Sequence, residues 1–378
     1  MTHIEILEDL LTKAVANLSA KKRKKYSDII VKNIDVLVTN IENNKSLMSA
    51  IVTSMLNKIA EPQQDIRLHK KKFVNGYSAR TLDTKVTTPF FKQHFQRYAN
   101  KESGFLSLVT RVDIPWNLSE ESNIAGRSKN TLHCFLVLLD AVENQTVKPD
   151  ETLIYLFEKL HTLSLKEELI FTETIDTSDF IDIININSVL SMLHQHFSMQ
   201  LSSRLPVIAI YSIYEQLFKQ VKRYENKILR PLNVHTSADK HGYGDIEIWN
   251  IDNTPFEMVE IKHNISIDRN LVFDVAKKSE NTDISRYYIL TTAKDNFTSQ
   301  EEEEYINKFI LKIKKGTDLE IIANGIFTSL KYYLRFIDDY KEFIKTYTRN
   351  LIVDSKKSTE IKSFHILEWQ NILKEHKL

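Results

Sequence analysis

One cysteine, Cys134, occurs in 378 residues. No internal disulfide can form from it and no cysteine-rich metal site can be built, and a lone thiol fits the reducing cytoplasm. Its LHCFLVLLD setting reads as a small buried hydrophobe rather than a nucleophile. Glycine is scarce as well, with seven in the chain. That leaves no room for a glycine-rich loop that cradles phosphates, which sets NTPase chemistry aside. No apolar run is long enough to span a bilayer, and the acidic, amphipathic start does not resemble a signal peptide. An excess of one charge is also missing: 51 basic residues stand against 50 acidic ones, a net of +1. A coat protein for nucleic acid is usually more basic, so any phosphate-bearing partner has to be met by local clusters. Basic runs occur at residues 21–25 and 69–72, although such runs are commonly only solvated faces.

What is present is helical periodicity, in a length that suits two domains. Ile4, Leu7, Leu10 and Leu11 form one stripe, Val31, Ile34, Leu37, Val38 and Ile41 a second, and Met48, Ile51, Val52, Met55, Leu56 and Ile59 a third, ending before Pro62. Residues 128–200 return to helix, with residues 170–186, rich in Ile, Thr and Asp, expected as a loop with short extended pieces. His194 and His196 stand two apart, so on a helix they point away from each other. A helical surface suits them better than a metal site. The region 1–200 is therefore expected to be mainly α-helical.

Within it, residues 73–95 read FVNGYSARTLDTKVTTPFFKQHF. Asn75 and Gly76 mark a turn, Ser78 is placed to cap a helix, and Pro89 opens another. Arg80, Lys85 and Lys92 interleave with Tyr77 and with Phe90, Phe91 and Phe95, a mixture suited to phosphates and base edges. Tyr77, Arg80 and Lys85 are candidate DNA contacts. The competing reading pairs Arg80 with Asp83 to hold the fold.

The second region, 201–378, is expected to be an α/β (α+β) unit. Ser202 or Ser203 caps a helix with Pro206 in its first turn. A hairpin comes next, in SADKHGYGDIEIWNIDNTPFEMVEIKH at residues 237–263. Ile246, Ile248 and Trp249 lie in one strand, Phe256, Met258, Val259 and Ile261 in the next, and turn formers separate them. With the turn centred on Asp252 and Asn253, Asp245 faces Glu260 across the ladder at ~5 Å between backbones. Strand alternation sends Glu260 and Lys262 to the same side. Mg²⁺ takes oxygen ligands, keeps several waters, and needs only one or two carboxylates besides a substrate phosphate. A nearby ammonium can orient water or stabilise developing charge. Asp245 and Glu260 are accordingly candidate metal ligands, with Mn²⁺ as a substitute, and Lys262 completes the candidate catalytic set. Beyond the hairpin the spacing predicts a helix at 270–278, a strand at 286–292, a helix capped around Thr298 and Ser299, a strand at 319–322 and a long helix over 326–352. Strands and helices alternating in this order form a mixed sheet flanked by helices. Lys277 and Lys278 are placed for DNA backbone contact or site support.

Asp245 with the triplet Glu260, Ile261, Lys262 resembles the PD-(D/E)XK nuclease family, except that Gly244 stands where the family has proline. GYSARTLD, VTTPFFK and ESGFLSLVTR (102–111) look like a segment shared by SacI-like type II restriction endonucleases, a likeness that covers about 73–145 together with the hairpin and the residues after it. The resemblance implies a PD-(D/E)XK nuclease core behind a large α-helical DNA-recognition region. It further implies a helix before the hairpin that supplies another acid, with Glu215 the candidate and Glu225 the alternative; pairing of Glu215 with Lys219 or Lys222 is the competing reading. Its functional implication is a cytoplasmic, Mg²⁺-dependent enzyme cutting double-stranded DNA, a homodimer to match a twofold site, with a cognate DNA methyltransferase as genetic partner. A structure-specific or repair nuclease and a non-catalytic DNA-binding protein with a nuclease-like fold are the alternatives. A methyltransferase is rejected, for want of a glycine-rich cofactor loop and a Pro-Cys nucleophile.

Overall fold

The three apolar stripes of residues 1–60 become α1 (His3–Ser19), α2 (Asp28–Thr39) and α3 (Lys45–Ala60) in the computed structural model, which describes residues 1–20, 24–125, 128–179, 184–232, 242–357 and 359–376. Expectations touching 21–23, 180–183 and 237–241 lie outside these residues. Thr2 closes a capping box with Glu5 at the start of α1. Next come α4 (Ala79–Leu82) and α5 (Thr88–His94), joined without a break by a π-helical turn, Asp83–Thr87. Ser78 occupies the capping position but bonds the Thr81 hydroxyl at 2.7 Å instead of a backbone amide. Short α6 (Leu108–Arg111), then α7 (Lys129–Glu143) and α8 (Pro149–Asp179) complete this region. Phe90, Phe95, Trp116, Phe135 and Phe157 sit in one core with Cys134, which is buried as expected.

The chain divides into a compact unit of residues 1–169 with 356–359 and a second of 170–355 with 360–378. The boundary precedes the expected one at 200 because α9 (Ile186–Phe197) gives Val189, Met192, Leu193 and Phe197 to the second core. The expected loop at 170–186 is corrected as far as Asp179, which α8 reaches. Threonines weaken a helix when their hydroxyls compete for backbone; here Thr174 and Thr177 return theirs to the carbonyls of Ile170 and Glu173, both at 2.7 Å. His196 is fully buried rather than at the surface, whereas His194 is exposed, so the two do point apart.

The second unit is built on a five-stranded sheet in the order β1 (Lys227–Leu229), β2 (Ile246–Asn250), β3 (Pro255–Lys262), β4 (Arg286–Thr291), β5 (Glu320–Gly325). The first three strands are antiparallel neighbours, and β3, β4 and β5 are parallel. The mixed sheet matches expectation; β1, of 3 residues, was not foreseen. The β2–β3 register is Ile246 to Val259, Glu247 to Met258 and Ile248 to Glu257, with a bulge next to Trp249. At the turn, Asn253 adopts a φ of 64° and Asp252 accepts the Thr254 amide at 3.0 Å, chemistry that favours this register.

The sheet is covered on both faces. Ile246, Ile248, Val259, Ile261 and Leu290 share a core with α9, α10 (Arg204–Gln220), α13 (Ile326–Leu334), α14 (Tyr340–Lys357) and α15 (Ser363–Glu375). Met258, Tyr287, Ile289 and Ile321 face α11 (Arg269–Lys278) and α12 (Gln300–Thr317). Ser299 caps α12 as expected, accepting the Glu302 amide at 3.1 Å. The single helix expected over 326–352 is two, since Asp339 caps a new start by accepting the Glu342 amide at 3.0 Å. At α10, Ser203 holds the capping position without a side-chain cap bond, while Ser202 turns its hydroxyl to the carbonyls of Phe197 and Met199.

Candidate metal and phosphodiester site

Near the carboxyl end of β3, on the α11–α12 face of the sheet, Glu260 pairs with Lys262, and Asp245 bonds the backbone between them. Continuing the β2–β3 register by one residue places Asp245 opposite Glu260. Asp245 Oδ2 accepts the Ile261 amide at 2.8 Å, which fixes it there. Lys262, two residues past Glu260 and so on the same face, brings its Nζ to 2.6 Å from Glu260 Oε1. Glu260 keeps 13% of its side-chain surface exposed and Lys262 29%, so the pair opens to solvent.

The backbone beside Asp245 accounts for glycine at position 244. A Cβ on Gly244 would sit 2.8 Å from the Val259 carbonyl oxygen and 3.3 Å from the Tyr287 hydroxyl. No residue with a side chain fits there without moving the ladder. Tyr287 donates its hydroxyl to the Tyr243 carbonyl and lies 3.5 Å from Glu260 Oε2. Burial first, then the nearby charges of Glu260 and Asp245, lift its ionisation far above the ordinary phenol value.

Two further groups bracket the site from the α10 side. Arg204, in the first turn of α10, is 6% exposed and grips Asp354 through Nη2 at 2.8 Å and Nε at 3.3 Å. Burial works against its charge, but the Asp354 bond and the charges of Asp354, Glu360 and Asp245 outweigh it, so its ionisation is raised. His263 meets the Ser202 hydroxyl at 3.0 Å and the Thr292 hydroxyl at 2.9 Å. Burial lowers its pKa, so the imidazole is neutral at pH 7.

Glu215 does not join this set. Ser202 beside His263, and Tyr214 donating to Glu257 at 2.8 Å, show that α10 runs antiparallel to β3. Glu215 therefore lies roughly 16 Å along the helix from Arg204. It also lies on the sheet face opposite to Glu260. Its carboxylate accepts from Asn350 at 2.5 Å and Arg349 at 3.3 Å on α14, rather than from Lys219 or Lys222. Glu225, the alternative, is exposed beyond the far end of α10. Lys277 also lies away from the acids. Exposed in the last turn of α11, it lines a cleft with Thr282, Thr317 and Leu319, at the amino-terminal edge of the parallel strands.

In the first unit Tyr77 turns its hydroxyl inward to Ser54 at 3.3 Å and the Ile66 carbonyl at 3.4 Å. Phe90, Phe91 and Phe95 are buried, so none of these three rings lies at the surface among the cations. Arg80 does not pair with Asp83. Asp83 is fully buried and takes the Ser103 hydroxyl at 2.7 Å, the Gly104 amide at 2.9 Å, Thr88 at 3.2 Å and Ser49. Arg80, Lys85 and Lys92 are exposed, with no ion pair among the described residues. The run at 69–72 is largely spent internally: Lys70 and Lys72 both reach Asp113 at 2.7 Å, and His69 is stacked on Trp116.

Among the described residues no group of three or more His, Cys, Asp or Glu side chains is arranged to hold a metal ion. Asp245 and Glu260 nevertheless suit a hard cation that keeps most of its waters, being carboxylate donors at neighbouring register positions. Tyr287, Arg204 and His263 were missed in the sequence. Only His263, adjacent to Lys262, carried even a positional signal. Comparison with protein-family models and with curated proteins finds no match for this chain.

Proposed function

We propose that this chain is a Mg²⁺-dependent endodeoxyribonuclease with a PD-(D/E)XK-type site, acting as the restriction enzyme of a type II restriction–modification system. The observation that carries the reading is the Lys262 ammonium 2.6 Å from Glu260 Oε1, with the Asp245 carboxylate tied to the next backbone N–H, that of Ile261, at the open end of the β2–β3 hairpin.

Asp245 and Glu260 would hold the divalent ion, Mg²⁺ or Mn²⁺, which would supply Lewis-acid polarisation of the phosphoryl oxygen and a more acidic attacking water. Lys262 leaves Glu260 for the attacking water or the phosphoryl oxygens, where its charge offsets the negative charge that builds in the transition state. The tether from Asp245 to the Ile261 amide keeps the acids in register while this happens. Water adds to phosphorus, one bond to a sugar oxygen breaks, and that oxygen takes a proton. No nucleotide cofactor is consumed.

Double-stranded DNA as substrate is supported by the helical run 79–94 of the first unit. Its only acid, Asp83, is buried, while Arg80, Lys85 and Lys92 are exposed. Such a surface suits phosphates rather than base edges. The restriction assignment rests on the resemblance to SacI-like enzymes. It brings with it a cytoplasmic setting, a cognate methyltransferase as genetic partner and a homodimer, since twofold symmetry in the enzyme matches palindromic DNA. No helix among the described residues is long and apolar enough to cross a membrane.

The test is digestion of unmethylated phage DNA in Mg²⁺, beside EDTA and Glu260→Ala controls. Discrete fragments that both controls abolish support the proposal. A smear moves the reading to a repair or non-specific nuclease. Intact DNA with every divalent ion tried overturns it in favour of a binding protein.

A further inference from the structure

The Tyr287 hydroxyl reaches Glu260 and the turn that delivers Asp245 from outside the hairpin. It projects from β4 on the face that carries Glu260, because Met258 and Tyr287 are paired in the parallel ladder. It donates to the Tyr243 carbonyl, two residues before Asp245, and lies 3.5 Å from Glu260 Oε2. It also stands 3.3 Å from the position a Gly244 Cβ would occupy, so the turn that delivers Asp245 is pressed against it. The ring is 0% exposed and packed among Met258, Ile289 and Ile321, which leaves the hydroxyl little freedom.

From this geometry we propose that Tyr287 is the positioning residue of the metal site: it sets the gap between Asp245 and Glu260 that a divalent cation fills. The inference rests on the proposed nuclease reading. Its physical basis is that groups bonded behind metal ligands orient them, and their removal usually weakens metal binding about 10- to 100-fold. With the hydroxyl gone, the Tyr243 carbonyl loses its partner and the turn drifts from β4. Glu260 also loses the neighbour that limits its rotation away from Asp245. Tyr287 touches neither water nor phosphate in this scheme, so turnover at saturating metal stays near wild type.

The experiment uses the full chain and Mn²⁺ alone as probe, with binding read by electron paramagnetic resonance and by calorimetry. Tyr287→Phe is expected to bind Mn²⁺ about tenfold more weakly, and to need correspondingly more metal for half-maximal cleavage, with kcat restored at high metal. Tyr288→Phe, one residue along and on the other face, is expected to keep wild-type affinity, which separates positioning from loss of a buried hydroxyl. Gly244→Ala pushes the same turn against the Val259 carbonyl and the Tyr287 hydroxyl while keeping that hydroxyl in place, and is expected to weaken Mn²⁺ likewise. Wild-type affinity in folded Tyr287→Phe, or in folded Gly244→Ala, overturns the proposal. So does a kcat that stays low at saturating metal. Glu260→Gln keeps the two readings apart. If it binds Mn²⁺ as the wild type does, the metal site itself is wrong; if it loses Mn²⁺ while Tyr287→Phe does not, only the role of Tyr287 fails.

Discussion

Asp245 Oδ2 takes the backbone N–H of Ile261 at 2.8 Å, so the candidate metal ligand also closes the hairpin ladder. One side chain serves both fold and chemistry, and the two roles respond differently to substitution. Asp245→Asn retains an oxygen that can accept the Ile261 amide but removes the charge a cation needs. The expected outcome is a melting temperature close to wild type with cleavage reduced at least about a hundredfold, since the metal is worth several kcal/mol of transition-state stabilisation. Asp245→Ala loses both, and thermal melts of the two variants beside their cleavage rates check the separation.

Lys262 rests on Glu260 Oε1 and so competes with any cation for that oxygen. Lys262→Met is expected to bind Mn²⁺ roughly two- to fivefold more tightly, the scale of a partly exposed ion pair, while cleavage is lost. Calorimetry and a cleavage assay on the same preparation test this. Weaker metal binding in Lys262→Met contradicts it.

Asp83 is a buried carboxylate held by neutral donors: hydroxyls of Ser49, Thr53, Thr88 and Ser103 and the Gly104 amide. Asp83→Asn puts an N–H₂ donor among them and strands at least one. The expected cost is about 2–4 kcal/mol of unfolding free energy, from one or two orphaned buried groups, read from urea melts. Arg80→Ala is expected to cost less than about 0.5 kcal/mol, because the side chain is exposed and has no ion pair among the described residues.

The same exposure predicts a salt signature. Neutralising Arg80, Lys85 and Lys92 together is expected to weaken DNA binding and flatten the slope of log K against log salt by roughly 0.9 for each phosphate left without its cation. Mn²⁺ affinity stays unchanged. An unaltered salt slope removes the helical run at 79–94 from the DNA interface.

Two buried histidines set an acid limit on stability. Burial lowers His196 to about 3 and His69 to about 4. His196 sits between the Tyr347 hydroxyl and the His365 carbonyl, both at 2.9 Å. Above the unfolded value near 6.5, both states are neutral and neither group affects the balance. As pH falls below it, the unfolded chain takes up protons that the folded one refuses, so stability is lost down towards each folded pKa. Each histidine contributes a slope of about 1.4 kcal/mol per pH unit in that window. Replacing His196 with Gln is expected to remove its share of the slope between pH 6.5 and 4 in urea melts, whatever it costs at pH 7.

The hairpin was legible because strand alternation and turn chemistry act over a few residues, and a one-residue slip would send Val259 and Ile261 out of the core. The helix holding Glu215 was legible too, but its role was not. An apolar stripe tells which side of α10 is buried, not which face of the sheet it covers or in which direction it runs. The hydroxyl of Tyr77 was hidden for a similar reason: an aromatic beside cations looks alike whether its hydroxyl meets Ser54 or solvent. The continuation of α8 depended on Thr174 and Thr177 bonding their own helix, which propensity alone weighs the other way. Tyr287 and Arg204 carried no sequence signal, since their importance comes from partners far away in the chain.

The most direct test of the metal site is a crystal structure of the full chain with Mn²⁺, read by anomalous scattering. A single peak bonded to both Asp245 and Glu260, with Lys262 moved off Glu260, is the predicted result. A peak elsewhere, or none at a metal concentration that supports cleavage, would contradict the assignment of these two carboxylates.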